Sequence, residues 1–324
     1  LNYVAKQDAF YTVHYMLDGT ETKLAADKTI DKLTFGETYT ETAIAIPGYT
    51  LKSDAEQTVT AGYENNEITF WYTANTDTEF TVEHWFQNVD DNGYTQSDEY
   101  PNETLEGTTG TMTAAVAKQV EGFTAQAFEQ QVIAGDGSTV VKVYYNRNTY
   151  TVTYEITGSF FANPAYQVVE NVRYGAELSL ITDDMSQDGY TWSGWSELPE
   201  TMPAHNVVVS GSYLMNIDGS QINVSDPAPV VYDGGQHKWE PVVTDASGKT
   251  LTPGTDYTVS YGDDDDFVNV DDNITVTITG IGNYTGSVDK TYQITPDEAL
   301  LVVGDSSKVY GTDDPDGYNG FTAM

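Results

Sequence analysis

The four histidines are the side chains best suited to metal binding or acid–base chemistry, and they are scattered along the chain. They stand at positions His14, His84, His205 and His237, and no His-Glu-x-x-His pattern connects any two of them. His14 and His84 lie in segments that alternate apolar and polar residues, as strands with one buried face do. We therefore expect the histidines to be strand-face residues that share no metal.

Other catalytic motifs are missing as well. The sequence has no cysteine, which excludes a cysteine nucleophile, a thiolate zinc site and a disulfide. It also has no Gly-x-Ser-x-Gly elbow and no glycine-rich phosphate loop. Paired carboxylates can hydrolyse glycosides, but among 50 acidic residues some pairs will be close by abundance alone. The sequence predicts no catalytic residue and no enzyme.

One run of carboxylates is a candidate cation site. Asp263, Asp264, Asp265 and Asp266 are consecutive. Ca²⁺ takes about 6–8 oxygen ligands, so an oxygen-rich segment of this kind can bind it. The residue order of an EF-hand is absent, and adjacent like charges are also typical of a solvated hairpin loop. Calcium is the one cofactor that the sequence leaves open.

A pair of tryptophans is the candidate ligand-binding feature. Trp192 and Trp195 flank the dipeptide Ser193-Gly194. Exposed aromatic rings stack on sugar rings, which makes the pair a candidate glycan site. Aromatic side chains also fill the cores of small modules, and that interpretation stands beside the first.

Composition excludes several classes of partner. The chain carries 50 acidic against 13 basic residues, for a formal net charge of −37. Such a surface repels phosphate backbones and anionic membranes, so we expect neither nucleic-acid binding nor membrane insertion. No apolar run is long enough to span a bilayer. The 24 tyrosines, together with many Thr and Val residues, favour strands.

Internal repeats organise most of the chain. Similar opening segments at 10–15, 79–85 and 149–154 each contain a Thr-Val pair, and the pairs recur at a period of about 70 residues. Each opening segment is followed by a glycine next to an aromatic residue and then by an apolar strand that ends in Tyr. The glycine–aromatic pairs are Gly48-Tyr49, Gly122-Phe123 and Gly189-Tyr190.

The spacing of these features predicts the domain boundaries. We assign repeats to residues 10–75, 76–148 and 149–216, called here the first, second and third repeats. Residues 217–296, the fourth segment, show short strands separated by Gly, Pro and Asp turns, as in a small antiparallel sandwich. Tyr3 precedes Tyr11 by the same eight residues that separate Tyr72 from Phe80, so 1–9 are expected to end a preceding repeat. Residues 297–324 are expected to begin a further module.

The predicted fold class is mainly β, an elongated row of α+β repeats followed by a β-sandwich. Within a repeat we expect strands and one short helix, placed at Thr113–Gln119 in the second repeat and more weakly at Glu37–Ile46 in the first. A unit of this size buries only about 60–65% of its unfolded surface, so each is marginally stable alone.

The first two repeats resemble MucBP (mucin-binding-type) repeats of Gram-positive surface adhesins. In the first repeat the residues that carry the resemblance are Tyr11-Thr-Val-His-Tyr15, Asp18-Gly19, Gly36, Pro47-Gly48-Tyr49 and Phe70-Trp71-Tyr72. In the second they are Phe80-Thr-Val-Glu-His-Trp85, Gly107, Gly122-Phe123 and Val143-Tyr144-Tyr145. The resemblance implies a β-grasp-like fold and binding to mucin or other host glycoprotein glycans.

The later segments resemble two other kinds of surface module. Gly189-Tyr-Thr-Trp-Ser-Gly-Trp195 with Met202-Pro-Ala-His-Asn-Val207 is similar to internalin B-type (Listeria–Bacteroides) repeats, which implies another β-grasp-like fold. Tyr232-Asp-Gly234 and Gly280-Ile-Gly-Asn-Tyr-Thr-Gly286 look like bacterial Ig-like modules of the YDG type. Together the resemblances imply an extracellular, cell-wall-associated protein that is monomeric within a longer chain.

Three functions remain open at this point. In the first, the repeats are glycan-binding modules of an adhesin, which gain affinity from repetition along the chain. Alternatively they form a structural stalk that projects a distal binding or catalytic domain. A third interpretation makes them accessory modules of a secreted carbohydrate-active enzyme whose catalytic domain lies elsewhere.

Overall fold

The computed structural model describes residues 6–64, 66–262, 266–298, 301–303, 309–311 and 321–323. Within these ranges every regular element is a β-strand, and the fold class is mainly β as predicted. No helix of the described chain is long and apolar enough to cross a membrane. Several of the longer strands alternate buried side chains with more exposed ones, which is the period of two that a sheet with one covered face requires.

Cα packing divides the chain into two compact units. The first holds the residues through Thr151 together with Glu170–Leu178 and Pro199–Asn206. The second holds Val152–Val169, Ser179–Leu198 and the residues from Val207 onward. The division runs through the third repeat, so the repeats and the compact units do not coincide.

The first repeat contains six strands in two sheets. Its strands are β1 (Gln7–Leu17), β2 (Lys28–Thr34), β3 (Thr38–Thr42), β4 (Tyr49–Leu51), β5 (Glu56–Thr60) and β6 (Glu67–Ala74). Four of them form a sheet in the order β2-β1-β6-β4, and β3 pairs with β5. The opening strand β1 and the closing strand β6 run parallel in the middle of the sheet, from Thr12 opposite Glu67 to Leu17 opposite Tyr72.

The second repeat has the same central arrangement. Its strands are β7 (Thr78–Gln87), β8 (Tyr94–Gln96), β9 (Glu103–Gly107), β10 (Phe123–Ala125) and β11 (Val140–Arg147). The sheet order is β10-β11-β7-β8, with β9 also paired to β7. Opening strand β7 and closing strand β11 are again parallel, and the short strand that follows the glycine lies beside the closing strand.

The third repeat repeats this order once more. Its strands are β12 (Thr149–Thr157), β13 (Asn163–Arg173), β14 (Tyr190–Trp192) and β15 (Val207–Asn216), arranged β13-β12-β15-β14. Strands β12 and β15 are parallel from Val152 opposite Val207 onward. Unlike the other repeats, the third leaves much of its outer strand uncovered, because every residue of β13 from Asn163 to Asn171 is exposed.

The fourth segment is built from two sheets around one core. Its strands are β16 (Ile222–Val224), β17 (Val230–Val231), β18 (Val243–Asp245), β19 (Tyr257–Tyr261), β20 (Asp271–Gly280), β21 (Tyr284–Thr285) and β22 (Ser287–Thr295). One sheet pairs β16 with β18, and the other has the order β17-β22-β20-β19. Farther along, β23 (Leu301–Val303) pairs with β24 (Phe321–Ala323). Most of the expected final module, 297–324, lies outside the described residues.

The helix predictions were wrong. Residues 114–120 form no regular element, and Thr38–Thr42 within the other predicted region is a strand. The side chain of Gln130 accepts a hydrogen bond from the backbone amide of Ala115 and donates one to its carbonyl oxygen. The amide of Lys118 donates to the hydroxyl of Tyr145 at 2.9 Å. Residues distant in sequence therefore satisfy backbone groups that a helix would have paired internally.

A recurring asparagine joins each repeat to the next part of the chain. Its backbone amide donates to the carbonyl of the glycine in the glycine–aromatic pair, at 2.9–3.0 Å in all three repeats. Its side-chain oxygen accepts from the threonine that follows the aromatic residue, at 2.6–2.7 Å. The three sets are Asn75 with Gly48 and Thr50, Asn148 with Gly122 and Thr124, and Asn216 with Gly189 and Thr191.

The same asparagines also contact the module that follows in the chain. The carbonyl oxygen of Asn75 accepts a hydrogen bond from Thr109 of the second repeat at 2.9 Å. The carbonyl oxygen of Asn148 accepts one from Tyr174 of the third repeat, also at 2.9 Å. Asn216 instead lies in β15 opposite Thr285, where β15 extends into a parallel pairing with β21 of the fourth segment. Each junction is therefore tied by backbone hydrogen bonds rather than by a free linker.

The junction between the second and third repeats, within the first compact unit, shows how closely the modules approach. The ring of Tyr174 packs on Gly122, where an added Cβ would lie 2.2 Å from the ring. Arg147 donates to the carbonyl oxygen of Tyr174 at 2.8 Å, and Arg173 donates to that of Val89 at 2.9 Å. No side chain larger than glycine fits at position 122 without moving Tyr174.

We predict that Gly122→Ala destabilises the first compact unit more than Gly19→Ala does. Both glycines have positive φ, +74° and +71°, so both substitutions incur a backbone cost of about 1–2 kcal/mol. Only position 122 adds a collision, which raises the expected loss by a further 1–3 kcal/mol or so. Urea denaturation measures both, and equal losses would show that Tyr174 does not hold the junction closed.

Candidate functional site

Trp192 and Trp195 lie together, as the candidate site requires. Trp192 ends β14, and Gly194, at φ +85°, turns the chain so that Trp195 comes back beside it. Their ring centroids are 4.9 Å apart with the planes inclined at 75°. Both side chains are half-buried, so each keeps part of its ring in solvent while the rest packs on the module.

Strand β15 supplies the support behind Trp192. The register of β14 on β15 places Trp192 opposite Tyr213, and their rings are 4.9 Å apart. The indole also covers Gly211, where an added Cβ would lie 2.2 Å from the indole ring. Glycine at this position therefore leaves room for the indole against the strand.

The two tryptophans belong to a larger set of touching aromatic rings, which we call the aromatic strip. Neighbouring ring centroids in the strip are 4.9–6.5 Å apart, within the range of favourable aromatic pairs. The strip consists of Tyr154, Phe160, Phe161, Tyr166, Tyr190, Trp192, Trp195, Tyr213 and Tyr284. Tyr154 and Tyr284 are buried, whereas Phe161 and Tyr166 are exposed, so one edge of the strip faces solvent.

Sequence reasoning identified the tryptophans but not their neighbours. Tyr166 comes from β13, Tyr213 comes from β15, and Phe161 comes from the connection before β13. Strand pairing across the third repeat brings Tyr166 and Tyr213 against the tryptophans, and Phe161 joins them through its contact with Tyr213. The available signal was the dense aromatic content of 160–213, but the sequence alone does not tell which of these rings share a face.

Beside the aromatic strip lies a cleft of about 780 Å³. Its walls combine aromatic rings with a group of acidic residues. The lining residues are Ile181, Asp183, Asp184, Met185, Ser186, Gln187, Asp188, Tyr190, Thr191, Trp192, Gly194 and Trp195. The cleft thus has apolar ring surface on one side and hydrogen-bond acceptors on the other.

Two of the cleft carboxylates are held by local hydrogen bonds. Tyr166 donates its hydroxyl proton to Asp183 at 2.9 Å, and this bond raises the pKa of the Tyr166 phenol. Asp184 accepts from the hydroxyl of Ser186 at 2.6 Å and from its backbone amide at 2.9 Å. Those two bonds lower the pKa of Asp184 below its usual value, so this carboxylate is ionised at neutral pH.

The arrangement is suited to binding a hydroxyl-rich ligand. Aromatic faces can pack against the C–H groups of a sugar ring, and carboxylates accept hydrogen bonds from sugar hydroxyls. Glycoside hydrolysis by a carboxyl pair needs a general acid whose pKa is raised. The pKa of Asp184 is displaced in the opposite direction, which favours binding over acid catalysis at this residue.

The other candidate residues are not brought to one site. Each histidine of the described chain has its own local partner: Asp27 for His14, Tyr145 and Glu103 for His84, the carbonyl of Asn206 for His205, and Asp233 for His237. His14 and His84 lie on opening strands, as expected. Among the described residues no group of three or more His, Asp or Glu side chains could hold a metal ion.

The candidate calcium site can be followed only at one residue. Asp263, Asp264 and Asp265 lie outside the described residues. Asp266 is described, and its carboxylate accepts from the amide of Val268 at 3.0 Å and from the side chain of Asn269 at 2.8 Å. Calcium binding by this run stays a prediction.

Comparison with known proteins places the chain beside bacterial surface proteins. Residues 12–73 match the MucBP domain family. Over 260 residues, 78% of the chain, it is 29% identical to internalin J of Listeria monocytogenes serovar 1/2a (strain EGD-e), and equally to internalin J of serotype 4b (strain F2365). The chain spans 28% and 26% of the length of these relatives. These findings support a Gram-positive, adhesin-like surface protein that contains a MucBP repeat.

A solved structure was also matched. It comprises Streptococcal High Identity Repeats in Tandem (SHIRT) domains 3-4 from a cell surface protein, at 11% identity and a TM-score of 0.20. The match covers 42% of this chain and 96% of that one. A superposition this poor says nothing about the fold of this chain.

We predict that Gly211→Ala disturbs both tryptophans of the site while the rest of the chain stays folded. The added methyl group meets the ring of Trp192, and overpacking of this kind costs about 1–3 kcal/mol. Fluorine-labelled tryptophan gives one NMR signal for each of the five tryptophans. We expect the signals of Trp192 and Trp195 to move and those of Trp71, Trp85 and Trp239 to stay.

The neighbouring substitution Ser210→Ala is the control, since Ser210 lies on the same strand and faces the opposite side of the sheet from Gly211 and Tyr213. If Gly211→Ala left the Trp192 signal in place, the indole would not lie on Gly211 in solution.

Proposed function

We propose that this chain is a non-enzymatic binding segment of a bacterial surface adhesin and that it binds glycans of host mucin-type glycoproteins. The observation that carries the proposal is the aromatic strip beside an acidic cleft, with Trp192 and Trp195 as the ring surface. The MucBP match and the similarity to internalin J support an adhesive role outside the cell, at the wall of a Gram-positive bacterium.

The charge of the chain narrows the class of ligand. Asp183, Asp184 and Asp188 line the cleft, and the chain as a whole carries a formal net charge of −37. Sialylated or sulfated sugars would be repelled both by this field and by the local carboxylates. A neutral sugar, with hydroxyl groups for the carboxylates and C–H faces for the rings, fits better.

The domain boundaries belong to the same proposal. We infer a second MucBP-like repeat at 76–148, an internalin B-type repeat at 149–216 and an Ig-like module at 217–296. The shared sheet order of the three repeats supports the first two assignments. The two sheets that enclose one buried core in the fourth segment support the last.

A second function, that of a spacer, is favoured by the junctions. Asn75, Asn148 and Asn216 each tie the end of one repeat to the glycine turn of the same repeat and to the following module. Modules fixed in this way hold a distal domain at a set distance. Binding and spacing are compatible in one protein, but only binding requires the exposed edge of the aromatic strip.

Binding of the full chain to immobilised mucin and to a panel of neutral and sialylated glycans tests the proposal. We expect Trp192→Ala and Trp195→Ala each to weaken binding at least tenfold, which corresponds to about 1.4 kcal/mol or more. Trp71→Ala and Trp85→Ala are matched controls, because both are half-buried strand tryptophans outside the strip, and we expect them to bind as the parent does.

Free neutral sugars should compete for the site, whereas sialylated ones should not. A chain that binds no glycan, at densities where repeated sites would gain by avidity, would leave the spacer as the function of this segment. An equal loss of glycan affinity in all four tryptophan variants would indicate that the ligand binds outside the aromatic strip.

A further inference from the structure

The first repeat exposes a pair of stacked aromatic rings that its own core does not use. The rings of Phe35 and Tyr63 are 4.9 Å apart with an interplanar angle of 22°. Phe35 is 58% exposed and Tyr63 is 47% exposed. Together with Gly36, Gly62 and their neighbours they line a shallow cleft of about 570 Å³. We call this surface the Phe35–Tyr63 face.

The second and third repeats each have a residue at the structural position that Phe35 occupies in the first repeat. In all three repeats a glycine follows this position. The backbone amide of that glycine donates a hydrogen bond to the carbonyl oxygen of a residue on a second segment, and the amide of that residue donates to the carbonyl oxygen of the residue after the glycine. The outgoing bonds run from Gly36 to Ala61, from Gly110 to Ile133 and from Gly175 to Met202, and the return bonds run to Glu37, Thr111 and Ala176. These bonds make Phe35, Thr109 and Tyr174 structural equivalents.

In the second and third repeats the residue at this position forms a hydrogen bond with the preceding repeat. Thr109 donates its amide to the carbonyl oxygen of Asn75, and Tyr174 donates to that of Asn148, both at 2.9 Å. The ring of Tyr174 covers Gly122 and meets the edge of Phe123 at 5.8 Å. An aromatic residue at this position therefore packs on the glycine–aromatic turn of the module before it.

The sequence position of Lys6 also indicates that the Phe35–Tyr63 face is a junction surface. Lys6 precedes Val13 by seven residues, as Asn75 precedes Val82, and each of these valines occupies the same register position opposite the closing strand. The amino group of Lys6 lies 5.8 Å from the centre of the Tyr63 ring. Lys6 thus occupies the junction position of the first repeat, at the edge of the Phe35–Tyr63 face.

We propose that the Phe35–Tyr63 face docks a further module of the same repeat type, joined ahead of Lys6 in the same polypeptide. That module would seat its glycine–aromatic turn on Phe35, as Gly122 and Phe123 receive Tyr174. The face is apolar where the turn would lie, and the hydrogen bond from position 35 would go to the carbonyl oxygen of the junction residue. The inference is independent of glycan binding at the third repeat.

An extended chain provides the test. Residues 6–75 are duplicated and joined directly to Gln7 of the full chain, so that Asn75 of the copy takes the position of Lys6. The chain has no cysteine, so single cysteines introduced at exposed Glu21 in the copy and in the native first repeat can carry spin labels. Pulsed electron paramagnetic resonance then gives the distribution of distances between the two modules. A second pair, at Glu21 and Asp98 of the native repeats, reports the existing junction.

We expect the new junction to give a distance distribution as narrow as that of the existing one, and Phe35→Ser or Tyr63→Ser to broaden it at least twofold. Val116→Ser is the control, since Val116 is 74% exposed and lies outside the face. A broad distribution in the extended chain, or a narrow one that survives both substitutions, would overturn the proposal. So would dimerisation of the unextended chain that Phe35→Ser abolishes, because the occupant would then be a second copy.

Discussion

The three asparagines at the ends of the closing strands carry the constraint on which the organisation of this protein depends. Each fixes the glycine turn of its own repeat through its amide and side chain, and each presents its backbone to the module that follows. A hydrogen bond of this kind contributes about 1 kcal/mol net. Repeats of about 70 residues are only marginally stable alone, so a few such bonds per junction are a substantial part of what holds neighbours together.

These junctions also explain which positions of the repeats can vary in sequence and which cannot. The glycine of each glycine–aromatic pair has positive φ and is approached closely by the next module at two of the three junctions, where Gly48 meets Gly135 and Gly122 meets Tyr174. The partner residue differs, glycine in one junction and an aromatic ring in the other, while the turn that receives it is unchanged. Each repeat therefore keeps the glycine turn constant, whereas the residue of the next module that packs against this turn varies.

Much of the strand structure could be predicted from the sequence, because alternation and the closing Tyr are local signals. The opening strands and the closing strands form as expected, whereas the short strands after the glycines were not predicted. The helix expected at Thr113–Gln119 does not form, because Gln130 and Tyr145, distant in sequence, bind its backbone. The junction asparagines follow a readable signal, Tyr-x-x-Asn at Tyr72, Tyr145 and Tyr213, but their partners depend on tertiary contacts. The same limit applies to the aromatic strip, whose members meet through strand register rather than spacing.

The parallel pairing of opening and closing strands has a mechanical consequence. In each repeat the chain enters at the start of one central strand and leaves at the end of its parallel neighbour, as in β1 and β6. Tension along the polypeptide therefore pulls the two strands past each other lengthwise, and all hydrogen bonds between them share the load at once. In an antiparallel hairpin pulled from its open end, the bonds would break one after another. A tether exposed to fluid flow gains from the first geometry, because it resists extension until the whole strand pair slips.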